Sequence, residues 1–414
     1  MTVRVSKPAF NLREKLNEFD LPIGSHGSQL LKSESAAESF KLVRGGRRRL
    51  NINGDMLIDQ RGTTTGLTGN ATEQYGACDR YTHKVHGNYG TWSIFRDTDV
   101  PDVGGFEYSL KYACTTVGSS SDGALATLYR FEGNDCMGFG YGTPNAKSVT
   151  LSFWAKSNLT GDFSVNFENE QNDDASCNFR RTINMANTWQ KFEVTCRGDI
   201  YKALTFGIQK SFVFDIFWGA VGATYADGTP SEQWEEVGSA IVNDRKGAHC
   251  TMDFQSSTSN YVCLTGVQLE FGESATPYEN WSYGEELSRC QRYFWREYRG
   301  TYEYSPGPTS GAGTLGQGYH PVTMRDTPTM SHNCTGSSVG SNAINVSAGQ
   351  WTWYRQNTGY DSGDTSYQTV ANWNFATSDH AWHGGSYHFK PSDTVTTTAL
   401  QTGRYTYIQA VSEV

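Results

Sequence analysis

The chain is poor in charge: Asp, Glu, Lys and Arg together make up 19% of its 414 residues. Lysine nearly runs out toward the end, where Lys390 is the only one after residue 300. A helical bundle, a coiled-coil rod or a disordered tail needs many charged or helix-forming residues, so these classes are excluded. Long apolar runs are missing too. No stretch approaches a membrane span, and the opening MTVRVSKPAF lacks the apolar core of a secretory leader. Neither membrane insertion nor secretion is expected. The nine cysteines are odd in number and show no CxxC or zinc-ligand spacing. Cys177 and Cys196 could face each other across a hairpin, but a reducing cytosol is the simpler setting. The nucleophile-elbow pattern GxSxG, the zinc pattern HExxH and the phosphate-loop pattern GxxxxGKS/T are all absent.

What is present is glycine and aromatics: 44 Gly, 23 Tyr, 21 Phe and 11 Trp. That combination suits β domains with glycine-bearing turns and aromatic-faced strands. A chain of 414 residues exceeds one ordinary core, so two or three domains are expected. The mean hydropathy of -0.57 fits a soluble protein.

Charge is unevenly spread. The first 50 residues hold ten Lys or Arg against five acids, so this arm is +5 within a chain of net charge -9. The acidic remainder disfavours nucleic acid as a partner. The run Arg44 to Arg49 reads as a solvated or partner-facing linker.

Three zones follow from the patterning. Residues 1–50 read as two short helices. Asn11 with Glu14 and Ser35 with Glu38 have capping-box spacing. Leu12, Leu16 and Phe19 form one stripe, preceded by Phe10; Phe40 and Val43 form another. Neither helix can bury its stripe alone, so the arm docks on its own body or on a larger assembly, and its basic composition favours attachment. Residues 51–281 alternate as a β-sandwich. In SVTLSFWAK, Val149, Leu151, Phe153 and Ala155 point one way. Many short strands and glycine turns make a jelly-roll the expected architecture. Residues 282–298 predict a linker helix, with Ser282 and Glu285 as a capping box and Leu287, Cys290, Phe294 and Tyr298 in helical register. Residues 299–414 predict a second β-sandwich domain. Its aromatics Trp351, Trp353, Tyr354, Trp373 and Trp382 either fill a small core or form a recognition surface.

Two stretches, SKPAFNLREKLNEFDLPIGSHGSQLL and ESFKLVRGGRRRLNINGDMLIDQRGTT, resemble the N-terminal region of tail-fibre-like proteins of marine podoviruses that infect cyanobacteria and related hosts. The segment LTGVQLEFGESATPYENWSYGEELSRCQRYFW is similar to one recurring in phage tail and virion proteins, where it closes a jelly-roll like that of carbohydrate-binding modules. GYHPVTMRDTPTM and the terminal YIQAVSEV resemble the distal domain of the same group. The resemblance implies a homotrimeric virion fibre made in the bacterial host cytoplasm. Its arm would hold tail adaptor, nozzle or portal-proximal proteins, and its distal domain would meet a host surface glycan or protein. A capsid or tail-adaptor decoration is the alternative placement. No heptad or β-helical shaft is evident, so the fibre would be short and globular.

Candidate chemistry is sparse, and no catalytic residue is expected. Gly311 to Gly316 matches GxGxxG by letter, but it lies in a Pro/Gly/Ser-rich loop without the flanking strand and helix a dinucleotide site requires. His380, His383 and His388 beside Asp379 could be drawn together as metal ligands, although aromatic strands commonly carry such histidines. Glu168, Glu170, Asp173 and Asp174 could supply paired carboxylates for glycan cleavage, or simply a solvated acidic loop. Carbohydrate-binding jelly-rolls commonly hold a structural calcium. Asn53, Asp55 and Glu270 are the hard-oxygen candidates at the ends of this zone.

Overall fold

The computed structural model describes residues 48–69, 73–170, 175–226, 228, 232–236, 246–304, 317–326, 328–333, 351–355, 369–370, 373–375, 386–391 and 401–413. The chain divides into two units between Arg48 and Arg49. The arm residues Phe10, Leu12, Leu16, Phe19, Phe40 and Val43 lie outside the described residues.

The central zone supplies β1 (Thr64–Leu67), β2 (Gln74–Tyr75), β3 (Tyr81–His86), β4 (Thr91–Asp97), β5 (Ser109–Thr116), β6 (Gly123–Glu132) and β7 (Val149–Ser157). It continues with β8 (Gly161–Asn169), β9 (Ala175–Ile183), β10 (Gln190–Cys196), β11 (Lys210–Val221), β12 (Glu235–Glu236) and β13 (Tyr261–Phe271). They form a six-stranded sheet, β1-β4-β5-β13-β7-β10, and a seven-stranded sheet, β12-β9-β8-β11-β6-β3-β2. Successive strands cross repeatedly from one sheet to the other: β3 lies in the larger, β4 and β5 in the smaller, β6 back in the larger, β7 in the smaller. With antiparallel pairing between neighbours, this crossing path is a jelly-roll sandwich.

The alternation read from β7 is the one observed. Val149, Leu151, Phe153 and Ala155 are completely buried and belong to the core between the sheets. Opposite them lie Phe163, Val165 and Phe167 of β8 and Phe214, Ile216 and Trp218 of β11. Phe163 packs edge-on to Phe192 at 5.1 Å and tilted on Trp218 at 5.3 Å. Each buried ring contributes about 2–3 kcal/mol, so this aromatic layer is a main source of stability.

One polar relay crosses this apolar core. Trp218 Nε1 donates to Thr127 Oγ1 (2.9 Å), and Thr127 donates to the Tyr112 hydroxyl (2.6 Å). Tyr112 in turn lies 2.7 Å from His83 Nδ1, while His83 Nε2 lies 3.1 Å from the Ala77 carbonyl. A carbonyl can only accept, so Nε2 carries the proton and Nδ1 accepts from Tyr112. Burial pushes the His83 pKa down to about 3, so the ring is neutral, as this tautomer requires. Cys177 and Cys196 come from opposite sheets, their thiols meet in the same core, and both are free.

The arm boundary falls earlier than expected, at Arg49 rather than after residue 50. Leu50 N donates to Leu269 O at 2.8 Å, tying this segment to β13. Arg49 is no solvated linker residue. Its side chain is buried, pairs with Glu286 at 2.7 Å and lies 4.2 Å from the Trp281 ring centre.

The linker helix is shorter than predicted. Helix α1 spans Tyr283–Gln291, with the Ser282 side chain accepting from Glu285 N as the capping pattern requires. The chain then turns into strand β14 (Phe294–Tyr304), so Phe294 and Tyr298 are strand residues. The aromatic run YFWREYRGTYEY prefers an extended backbone once a partner strand is available. That partner is β21 (Gln401–Val411), paired antiparallel with Phe294 opposite Val411 and Tyr304 opposite Gln401. Between them run β15 (Gln317–Tyr319), β16 (Thr329–Asn333), β17 (Trp351–Arg355), β18 (Thr369–Val370), β19 (Trp373–Phe375) and β20 (Ser386–Pro391). They complete a five-stranded sheet around β21 and a three-stranded sheet β15-β20-β19.

The five-stranded sheet is bolted to the sandwich at its root. The Glu413 carboxylate takes Arg61 at 2.8 Å and Arg80 at 2.5 Å, and Arg80 is completely buried. Arg325 donates to the carbonyls of Ser412 (2.6 Å), Glu413 (2.7 Å) and Ile208 (2.5 Å). The predicted independent domain at 299–414 therefore begins earlier, at β14, and belongs to the same compact unit as the sandwich. Among the described residues no helix is long and apolar enough to cross a membrane.

Candidate functional site

The outer face of the seven-stranded sheet is where the structure gathers polar chemistry. Alternation in β8 sends Phe163, Val165 and Phe167 into the core and turns Ser164, Asn166 and Glu168 outward. In β11, Asp215 lies on the same outer face, directly opposite Asn166. In β9, Asn178 pairs with Asn166 and Ser176 with Glu168. Outward polar residues of an antiparallel sheet ordinarily meet water. Here they do not. Asn166 and Asp215 are completely buried, and Asn178, Glu168 and Lys246 nearly so.

The cover includes Tyr225 and the segment that starts at Lys246. The Tyr225 ring lies tilted 5.5 Å from Phe217, and its carbonyl accepts from Gly247 N at 2.6 Å. Gly247 is required there: a Cβ would lie 2.2 Å from that of Ala220. Beneath this cover, Asn178 Nδ2 donates to Asn166 Oδ1 (2.6 Å), and Asn166 Nδ2 donates to Asp215 Oδ1 and to the Lys246 carbonyl (2.9 Å). Lys246 Nζ sits 2.8 Å from Glu168 Oε1. Asp215 Oδ2 has no further hydrogen-bond partner.

Electrostatics fix the charge state. Burial and the neighbouring Glu168 hold the Asp215 carboxyl well above the ordinary carboxylate range. Burial would lower Lys246, but Glu168 and Asp215 outweigh it and keep its amine charged. The arrangement places Asp215 beside Glu168, with Lys246 paired to Glu168. Nearby, Arg130 bridges Glu73 and Glu170 (3.1 Å), and Glu170 also takes Lys210 at 2.6 Å.

This geometry does not fit glycan cleavage. An acid and a base or nucleophile must flank a sugar, with carboxyl groups about 5–9.5 Å apart. Asp215 and Glu168 instead lie buried on the covered sheet face, where neither carboxyl flanks an open site. Of the sequence candidates, Glu168 is spent in this cluster and Glu170 on Arg130 and Lys210. Asp173 and Asp174 lie outside the described residues. The signal that marks the cluster in sequence is Asp215 itself, the one charged residue inside the apolar run SFVFDIFWGAV.

The calcium candidates do not assemble. Asn53 has a left-handed backbone, and its amide ties the Ile58 and Asp79 carbonyls (2.8 and 2.9 Å) while accepting from Ile58 N. Glu270 accepts from Thr276 N and Oγ1, both at 2.7 Å, and from Gln268 at 2.9 Å. Asp55 is raised by burial despite Arg49 beside it. Asn53 and Glu270 are thus committed to local protein structure, while Asp55 Oδ1 is buried without a hydrogen-bond partner. No three His, Cys, Asp or Glu among the described residues gather as a metal set.

The aromatic candidates are placed by backbone alone. Trp351, Trp353 and Tyr354 lie on β17, where Trp353 faces Gly403 and Tyr354 faces Thr402 in the ladder. Trp373 opens β19, opposite Pro391. Trp382, His380, His383 and the glycine-rich match at 311–316 lie outside the described residues.

Comparison with known proteins adds little. No protein-family model matches the chain, and no curated protein matches it. Among solved structures, it is similar to the enzymatically active domain of a bacteriophage CBA120 tailspike at 13% identity and a TM-score of 0.28. That match covers 47% of this chain but only 19% of the tailspike structure, so the chain spans about a fifth of it. A xylan-binding domain from Paenibacillus barcinonensis aligns at 16% identity and a TM-score of 0.25, covering 46% of this chain and 91% of that one. A family 11 carbohydrate-binding module of a cellulosomal cellulase from Clostridium thermocellum aligns at 11% and 0.24, covering 50% and 98%. At such scores the fold rests on the strand topology above.

Proposed function

We propose that this chain is a non-enzymatic fibre subunit of a phage virion, attached through residues 1–48 and binding the host surface through its β-rich body. The observation that carries this reading is the mounting of the five-stranded sheet. Glu413 between Arg61 and Arg80, with Arg325 on three carbonyls, fixes a second β layer rigidly to the sandwich. A rigid body behind a basic, amphipathic arm suits a part that transmits a binding event. It does not suit one that opens and closes on substrate. The closed Asp215–Glu168 pair supports adhesion over glycan depolymerisation.

In this reading the fibre is a homotrimer on the tail, its arm seated on adaptor, nozzle or portal-proximal proteins. Host surface glycan or protein is the distal partner. Repetition across three copies raises avidity without any new contact. Deleting residues 1–48 tests the attachment half: the truncated protein should stay folded and soluble yet be missing from assembled particles. Its normal incorporation would sink the assignment. Particle density for the body at the capsid, not at the tail, would instead favour a decoration. Shortened products from purified protein incubated with host lipopolysaccharide would revive the enzyme reading.

A further inference from the structure

Four of the eight strongly exposed large apolar residues in the described body sit on two neighbouring loops. They are Met137 (69% exposed), Ile200 (48%), Tyr201 (80%) and Phe206 (63%). Met137 lies in the β6–β7 loop and the other three in the β10–β11 loop, at one end of the sandwich. Apolar side chains at this exposure lose favourable burial, so a surface that keeps several together marks a contact site.

The two loops are held as one piece. Gly133 N donates to Gln209 O and Asn134 N to Gly207 O, both at 2.9 Å, and Gly142 N donates to Asp199 O at 2.8 Å. Glycine permits the approach: a Cβ on Gly133 would stand 2.1 Å from the Thr205 carbonyl oxygen, and one on Gly142 would stand 2.7 Å from Ala203 N. Asp199, itself buried, caps the turn under Tyr201 by accepting from Tyr201 N (2.8 Å) and Lys202 N (3.2 Å). Asn169 Nδ2 holds the Ala203 carbonyl at 3.0 Å, and Arg325 holds that of Ile208. The side chains are free while their backbone is fixed. Binding here would order little that is not already ordered.

We infer that this loop end is a carbohydrate-binding platform, on which Tyr201 and Phe206 take the apolar faces of sugar rings. The inference rests on the host-surface reading above and deepens it. The same two loops carry exposed Asn134, Thr143, Asn145, Thr205 and Gln209, groups that donate to and accept from hydroxyls, together with the charged Asp135, Lys147 and Arg197. A ligand whose faces are apolar and whose edges are hydroxyls matches that alternation. A protein partner would call for a more continuous apolar core. The polar sheet face cannot serve, because its own cover fills it.

The test uses the full chain on an array of bacterial lipopolysaccharides and capsular polysaccharides, with Tyr201→Ala, Phe206→Ala and the double variant beside Trp351→Ala and Trp382→Ala. These platform side chains are exposed, so an unchanged thermal midpoint is expected and checks folding. The platform predicts at least a tenfold affinity loss in each single ring variant and near-complete loss in the double, about the weight of a central contact residue. The two tryptophan variants should bind as the parent does. Glycan binding that survives the double variant would overturn the platform and leave the host-glycan reading standing. A parent that binds no glycan would overturn both. Self-association that disappears in the double variant, without glycan binding, would reassign the loops to a contact between copies.

Discussion

Two buried polar networks lie on opposite faces of the seven-stranded sheet, and they are built on different rules. On the inner face, Trp218, Thr127, Tyr112 and His83 pass hydrogen bonds in one direction and end on the Ala77 carbonyl. No charge is involved, and the donor of each pair is set by its neighbour. On the outer face, Asn178 and Asn166 lead to Asp215, and Glu168 on the same face pairs with Lys246. That network is ionic, and one oxygen of Asp215 is left over. The inner relay specifies how the two sheets register, because Tyr112 comes from the smaller sheet and its partners from the larger. The outer cluster holds the cover in place. Protons act on them in opposite senses: acid must charge the neutral His83, whereas it relieves the carboxylate pair.

The largest expected effect comes from breaking the ionic network. Lys246→Met leaves Glu168 as a buried, unpaired carboxylate, which should cost about 3–5 kcal/mol at neutral pH. Urea unfolding at pH 7 reads this directly. A loss below about 1 kcal/mol at pH 7 would mean that water already reaches the pair.

The inner relay predicts a pH dependence. His83 has a folded pKa near 3 against an ordinary 6.5, so its contribution is complete above 6.5 and is lost as pH falls toward 3. His83→Gln keeps a donor for Ala77 and an acceptor for Tyr112 but cannot titrate. Relative to this variant, the parent should lose about 1.4 kcal/mol per pH unit, or about 3 kcal/mol between pH 6 and 4. Parallel stability profiles for parent and variant would show that the ring is reached by protons in the folded state.

The inner face was far more legible in the sequence than the outer one. Val149, Leu151, Phe153 and Ala155 announce a buried strand by period alone, and the start of α1 is written in Ser282 and Glu285. The end of α1 was misread because Phe294 and Tyr298 fit helical spacing as well as strand spacing. Pairing with a strand about a hundred residues away decides between them, and no local pattern contains that information. Arg49 was misread for a similar reason, since its partner Glu286 is distant in sequence. For the outer cluster, the acidic run around Glu168 drew attention to a loop, whereas the working partner is Asp215 on a different strand. The exposed side chains of Met137, Tyr201 and Phe206 carried no sequence signal: their composition matches that of core residues, and only the fold turns them outward.

The smallest effect isolates the relay from the packing around it. Thr127 is 1% exposed and links the two halves of the chain, accepting from Trp218 and donating to Tyr112. Thr127→Val keeps the volume and the branch but strands the buried indole N–H, at a cost of about 1–2 kcal/mol. Thr127→Ser keeps the hydroxyl and loses one methyl, about 0.8 kcal/mol of burial. If the hydrogen bonds outweigh the packing, Ser should be the more stable of the two by urea midpoint. The Val variant should also shift tryptophan emission as Trp218 loses its acceptor. A Val variant at least as stable as Ser would mean that the methyl matters more than the hydroxyl. In that case the sheets would be registered by ring packing around Trp218, not by the relay.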